Sequence, residues 1–148
     1  MKVIQIPKSV NLIAFDPGET TGVIKIVNGK LYRAGSLSLW DMLEYTSRKR
    51  DWHNPEGVFE HWVAEGFRIY DWNQPKTQAL MAPVQVLSYL ELYLHRTPRC
   101  LHTQYAGEAK PFATDERLQA QGWWGMLQND HEKDAARHAL YYITNNLL

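Results

Sequence analysis

Three acids and one histidine stand where solvation alone explains their charge poorly. Asp16 closes Val10–Asp16 (VNLIAFD), a short and nearly continuous apolar run, just ahead of Pro17-Gly18. Glu65 closes a second apolar run, Trp62-Val63-Ala64-Glu65, and is followed by Gly66. An ionised carboxylate at the end of an apolar strand needs a partner or a cation, because burying it alone is costly. For Asp16 the competing account is a turn cap on the amides of Gly18 or Glu19. The third element is Asp130-His131-Glu132-Lys133-Asp134-Ala135-Ala136-Arg137-His138-Ala139. A spacing of three puts His131 and Asp134 on one helix face. Glu132 points elsewhere, and with Asp130 it reads as acidic charge favoured in a first helical turn. Asp134 lies deeper, beside the alanines, where that explanation is weak.

Two carboxylates on one edge repel each other unless a cation lies between them. An oxygen-rich set of Asp16, Glu65, His131 and Asp134 suits Mg²⁺ or Mn²⁺ rather than structural zinc. A Mg²⁺ pair about 3.5–4 Å apart serves in-line phosphoryl transfer. His131 either completes the inner shell or orients the attacking water.

The elements that must position these groups can be read in order. Val10–Asp16 is a buried central strand. Thr21–Val27 and Leu31–Leu37 follow as strands, joined at Asn28-Gly29, the strongest short hairpin signal. Leu39–Lys49 reads as a helix, with Leu39, Trp40, Leu43 and Thr46 near one face. Phe59–Phe67 contains a fourth strand, which a helical crossover makes parallel to a neighbour. Thr77–His95 is a long apolar helix that Pro83 should kink or split. Arg99–Thr103 is β-like. Tyr105–Gly122 is ambiguous, with a helical piece at Thr114–Ala120. Asp130–Leu147 is a C-terminal helix with apolar Ala135, Ala139, Tyr142 and Ile143 at helical spacing. The expected plan is α/β, one domain over 1–148, with a mixed five-stranded sheet: three antiparallel strands, then parallel ones, flanked by helices. A buried strand ending in an acid, then a glycine turn and a hairpin, resembles RNase H-like folds.

The chain has 148 residues, with 45% hydrophobic and 22% charged side chains, as in globular proteins. Its one cysteine, Cys100, excludes an intramolecular disulfide framework and a Cys-based zinc site. Neither a signal peptide nor an apolar run near 18 residues is indicated, so the expectation is a cytoplasmic protein with no membrane partner. Sixteen basic residues balance sixteen acidic ones. Taken alone, that balance disfavours nucleic acid, which usually selects a basic excess.

The strings Ile13-Ala14-Phe15-Asp16-Pro17-Gly18 with Thr21-Gly22, then Ala64-Glu65-Gly66, then the His131–Ala139 motif resemble the RuvC-like Holliday junction resolvases, most closely the compact phage-encoded branch. The likeness runs from the first strand to the last helix. It implies a homodimeric, Mg²⁺-dependent endonuclease that makes paired nicks in branched DNA, as in recombination and repair. It implies Asp16, Glu65 and Asp134 as metal-binding catalytic acids, with His131 at a position that is His in some members and Asp in others. It also implies a DNA-contacting aromatic after the second acid, for which Phe67, Tyr70 and Trp72 are the nearby choices.

Arg68, Tyr70 and Trp72 fall in one loop beside these acids, where aromatic faces could stack on bases and arginine could meet phosphate. A core or subunit interface explains the two aromatics equally well. Lys110 resembles a family position near the DNA backbone. Arg48-Lys49-Arg50 fits either DNA or a helix dipole. The wide apolar arc of Thr77–His95, from Leu80 and Met81 to Leu94, is either fully buried or meets a second subunit, and the resemblance favours a homodimer there. His138 lies four after Asp134 and could touch the edge of the site, but reads first as a packed or surface histidine, and Trp123-Trp124 reads as core or interface. The alternatives are an inert RNase H-like interaction protein and an RNase H-like hybrid nuclease. Setting aside the three candidate ligand acids leaves a positive excess of three, so the charge balance no longer argues against DNA.

Overall fold

The computed structural model describes residues 1–47, 58–67 and 77–148. Among them, five strands form one sheet in the order β3-β2-β1-β4-β5. Strand β1 (Leu12–Asp16) is central, and its first four side chains are fully buried because both faces of the sheet are covered. It pairs antiparallel with β2 (Thr20–Val27), which pairs antiparallel with β3 (Lys30–Ser38). The β2–β3 turn has positive φ at both central residues, 52° at Asn28 and 73° at Gly29, the shape a two-residue hairpin requires.

Strand β3 leads into α1 (Leu39–Ser47), whose start is closed by reciprocal bonds. Ser38 N–H donates to Asp41 Oδ2 at 3.2 Å, and Asp41 N–H donates to Ser38 Oγ at 3.1 Å. Strand β4 (His61–Glu65) then runs parallel to β1, and β5 (Leu101–Gln104) runs parallel to β4. Between them lies α2 (Thr77–Leu94). The chain continues through α3 (Ala106–Phe112), α4 (Asp115–Ala120), a single 3₁₀ turn at Trp124–Met126 and α5 (Asp130–Asn146).

Strand alternation sorts the core into two layers. Leu12, Ala14, Ile24, Ile26 and Val63 face α5, where Ala135, Ala136, Ala139, Leu140 and Ile143 meet them. Ile13, Phe15, Val23, Trp62 and Ala64 face α1 and α2, meeting Met42, Val86, Leu90 and Leu94. Phe15 and Trp62 stack at 5.9 Å on that second face.

Several expectations change. Trp40, placed near the apolar face of α1, is 77% exposed, and Met42 is the residue that packs inward. Helix α2 runs unsplit through Pro83. Its inward side is Ala82, Val86, Leu90 and Leu94, a spacing of four. The ambiguous stretch after Tyr105 holds a second helix, α3, closed at its start by Glu108 Oε2 accepting from Tyr105 N–H at 3.3 Å. Trp123 is core. No helix among the described residues is long and apolar enough to cross a membrane.

Candidate active site

Asp16 and Glu65 reach the same place through register. Phe15 pairs with Ala64 across the parallel β1–β4 boundary, so the next residues, Asp16 and Glu65, lie side by side at the carboxyl ends of the two strands. Phe15 and Ala64 face the α2 layer, so alternation turns both acids toward α5. In open α/β sheets this edge is where ligands collect.

Helix α5 brings the rest. Asn129 caps it, its side chain accepting from Glu132 N–H at 3.0 Å. The first turn of α5 sits directly on Gly22 of β2, the residue that pairs with Asp16. A Cβ at Gly22 would collide with the His131 carbonyl, so the helix can come this close only over a glycine. The result is a His131 Nδ1 to Asp16 Oδ2 contact of 3.2 Å. The Gly18 amide does not cap Asp16, since it donates to Thr21 Oγ1.

Asp134, one turn further along α5, is held by two cations. Lys110 Nζ lies 2.9 Å from its Oδ2, and Arg137 Nε donates to its Oδ1 at 3.2 Å. Arg137 also bonds the Ala113 carbonyl at 2.7 Å and Asp115 at 2.5 Å, which ties α5 to the α3–α4 junction. Lys110, expected near a DNA backbone, lies among the acids, within the fields of Asp134, Glu65 and Asp16. Burial works against its charge, but its bond to Asp134 and those three fields hold the ammonium above its ordinary value.

Burial, followed by the charge of Glu65, pushes the Asp16 carboxyl up to about 6. The His131 bond pulls the other way, and Asp134 adds to the rise. Among the described residues, no group of three or more His, Cys, Asp or Glu side chains is placed as it stands to hold a metal ion. The donors are nevertheless of the chemical kind that divalent cations take. Their oxygens are partly buried and mutually repelling, and the Lys110 ammonium already stands at Asp134 as an internal cation.

Sequence reasoning missed two contributors, Glu132 and Gly22. Glu132, taken for first-turn dipole charge, is only 2% exposed. Its carboxylate accepts from Ser36 Oγ at 3.1 Å, pinning the start of α5 to strand β3. Asp130, by contrast, is a surface residue. Gly22 is the floor on which α5 rests. His138, read as packed or at the edge of the site because it lies four residues after Asp134, is both: it is fully buried against Glu65. Arg68, Tyr70 and Trp72, like Arg48-Lys49-Arg50, lie outside the described residues.

The fold has solved counterparts. The structure of Thermus thermophilus RuvC in complex with a Holliday junction substrate superposes with a TM-score of 0.63 at 14% identity, covering 93% of this chain and 96% of that one. A second Thermus thermophilus RuvC structure gives 0.60 at 16% identity, over 91% and 96% of the two chains. The chain therefore has the RuvC fold, a mixed five-stranded RNase H-like α/β architecture. No protein-family model and no curated protein matches the sequence.

Proposed function

We propose that this protein is a Mg²⁺-dependent endodeoxyribonuclease that resolves four-way DNA junctions by paired, symmetric nicks, acting as a homodimer of single-domain subunits. The observation that carries this reading is the convergence of Asp16, Glu65 and Asp134 on one sheet edge, with the Asp16 carboxyl pushed to about 6 by burial and by its acidic neighbours. The RuvC fold, seen in one counterpart bound to a Holliday junction substrate, supports DNA as the substrate.

Asp16, Glu65 and Asp134 would hold two divalent ions, Mg²⁺ or Mn²⁺, with His131 beside them at the rim. Bound there, the ions supply positive charge at the scissile phosphate. The chain's own residues do the rest. His131 is half exposed, and its Nδ1 is fixed on Asp16. Its Nε2 on the far side of the ring is then the group to orient the attacking water and take its proton. Lys110 Nζ, already at the acids, donates to a phosphate oxygen as DNA enters. Arg137 keeps Asp134 aimed by holding its other oxygen. Arg68, Tyr70 and Trp72 follow Glu65 closely in sequence and would meet the splayed bases of the junction.

The second subunit would cover the outer side of α2. Met81, Val84 and Leu92 are exposed there, beside a groove of about 610 Å³ that starts at Phe67, two residues past Glu65. A twofold dimer places two active sites for two symmetric cuts.

The test uses labelled four-way junction, linear duplex and RNA–DNA hybrid, each with Mg²⁺ or EDTA. Metal-dependent symmetric nicks in the junction, absent in Asp16→Asn, are expected. Cleavage of the hybrid alone, or of no substrate with any divalent metal, overturns the proposal.

A further inference from the structure

His138 takes no part in the chemistry above, yet it is fully buried and touches one of the acids. Its Nε2 lies 3.0 Å from Glu65 Oε2. Its Nδ1 lies 3.4 Å from the side-chain nitrogen of Gln104, and that nitrogen also donates to the main-chain carbonyl of His138 at 2.9 Å. Gln104 is 3% exposed and pairs with Glu65 across the β4–β5 boundary, so three adjacent elements meet at this point.

These contacts fix one another in sequence. A carbonyl oxygen only accepts, so the amide atom facing the His138 carbonyl is the NH₂ group. An NH₂ group only donates, so the ring nitrogen facing it, Nδ1, presents a lone pair. The proton of the ring is therefore on Nε2, where Glu65 accepts it. The main chain orients an amide, the amide selects a tautomer, and the tautomer holds a carboxylate.

We propose that His138, locked in its Nε2–H tautomer by Gln104, is a positioning residue that anchors one oxygen of Glu65 and leaves the other facing the cation site. The purpose of this arrangement rests on the metal-dependent nuclease reading; the arrangement itself does not. A glutamate has three rotatable side-chain bonds, and the charge of Asp16 beside it favours swinging away. A neutral N–H donor opposes that swing without adding a competing positive charge, unlike the ammonium on Asp134. Groups that orient ligands in this way commonly set about 10–100-fold in metal affinity.

The experiment titrates Mn²⁺ alone into the full chain by calorimetry, without DNA. His138→Met fills similar volume with no donor, whereas His138→Gln returns an N–H close to the Nε2 position. The expected result is about 10–100-fold weaker Mn²⁺ binding in His138→Met and recovery of most of it in His138→Gln. Equal Mn²⁺ affinity in all three proteins overturns the proposal, as does an equal loss in both variants. Nitrogen-15 spectra of the wild-type imidazoles supply a second measurement that needs no variant to fold. Protonated Nε2 with bare Nδ1 at His138 is expected, and protonated Nδ1 overturns the proposal. Because that spectrum involves neither metal nor DNA, a chain with the expected tautomer that cuts no junction sinks the nuclease reading while supporting the bracing.

Discussion

Burial, then the charges of Glu65 and Asp134, raise the Asp16 carboxyl to about 6, so the folded chain binds this proton more tightly than the unfolded chain does. The stabilisation from that proton is fully present below the ordinary aspartate value and is lost as pH rises through 6. Without metal, the fold should therefore weaken between pH 4 and pH 7, by on the order of 2–3 kcal/mol from this group. Asp16→Asn removes the penalty, and its thermal midpoint at pH 7.5 in EDTA should rise by about 5–10 °C while cleavage disappears. Mg²⁺ should narrow that gap by stabilising the wild type. A midpoint unchanged by the substitution would remove the argument that the acids repel one another. Lys110→Met should act in the opposite sense. Deleting the ammonium leaves Asp134, Glu65 and Asp16 less compensated and lowers metal-free stability by up to about 1 kcal/mol, a modest figure because Lys110 is partly exposed. The loss should shrink when Mg²⁺ is added, which differential scanning calorimetry with and without the ion would show.

One backbone contact governs how the elements meet. Helix α5 rests on Gly22, and that seat brings His131 to Asp16. Gly22→Ala must push the helix off the sheet, a local overpacking that should lower stability by about 1–3 kcal/mol and cut cleavage far more than stability. Normal cleavage with a normal melting curve would disprove the close seat. The elements themselves were largely legible in the sequence. Continuous apolar runs ending in Asp16 and Glu65 identified both central strands, and Asn28-Gly29 identified the hairpin. The side-by-side placement of Asp16 and Glu65 followed from strand-end position, and the reach of His131 to Asp16 agrees with its place in the first turn of the last helix. Other features depended on tertiary context. Helix α3 carries Gly107 and Pro111 in seven residues, so local propensity does not announce it. Glu132 reads as a surface acid because its partner, Ser36, lies in a distant strand. His138 follows Asp134 by one helical turn, the single signal that put it within reach of the site, whereas its Glu65 and Gln104 partners depend on strand pairing. Trp40 shows the reverse failure, since an apolar side chain at helical spacing is still free to face solvent.

At the scale of the molecule, the exposed apolar residues of α2 and the neutral total charge bear on assembly and DNA affinity. Replacing Val84 and Leu92 together by glutamate should shift sedimentation from dimer to monomer and turn paired nicks into single, unpaired ones. A wild-type monomer at micromolar concentration would contradict the dimer. Affinity for duplex should fall with added salt, with a shallower slope than a strongly basic protein gives, because net charge contributes little. The parallel pairing of Phe15 with Ala64 has a separate consequence, in time rather than space. The β2–β3 hairpin closes a two-residue turn, whereas joining β1 to β4 and then seating α5 requires closing long loops, the slower class of folding event. Pulse-labelled hydrogen exchange during refolding should find hairpin amides protected before those of β4 and the first turn of α5. The edge that carries Asp16 and Glu65 is then among the last parts of the molecule to form, so on the proposed function a chain still folding beside DNA could not yet break it.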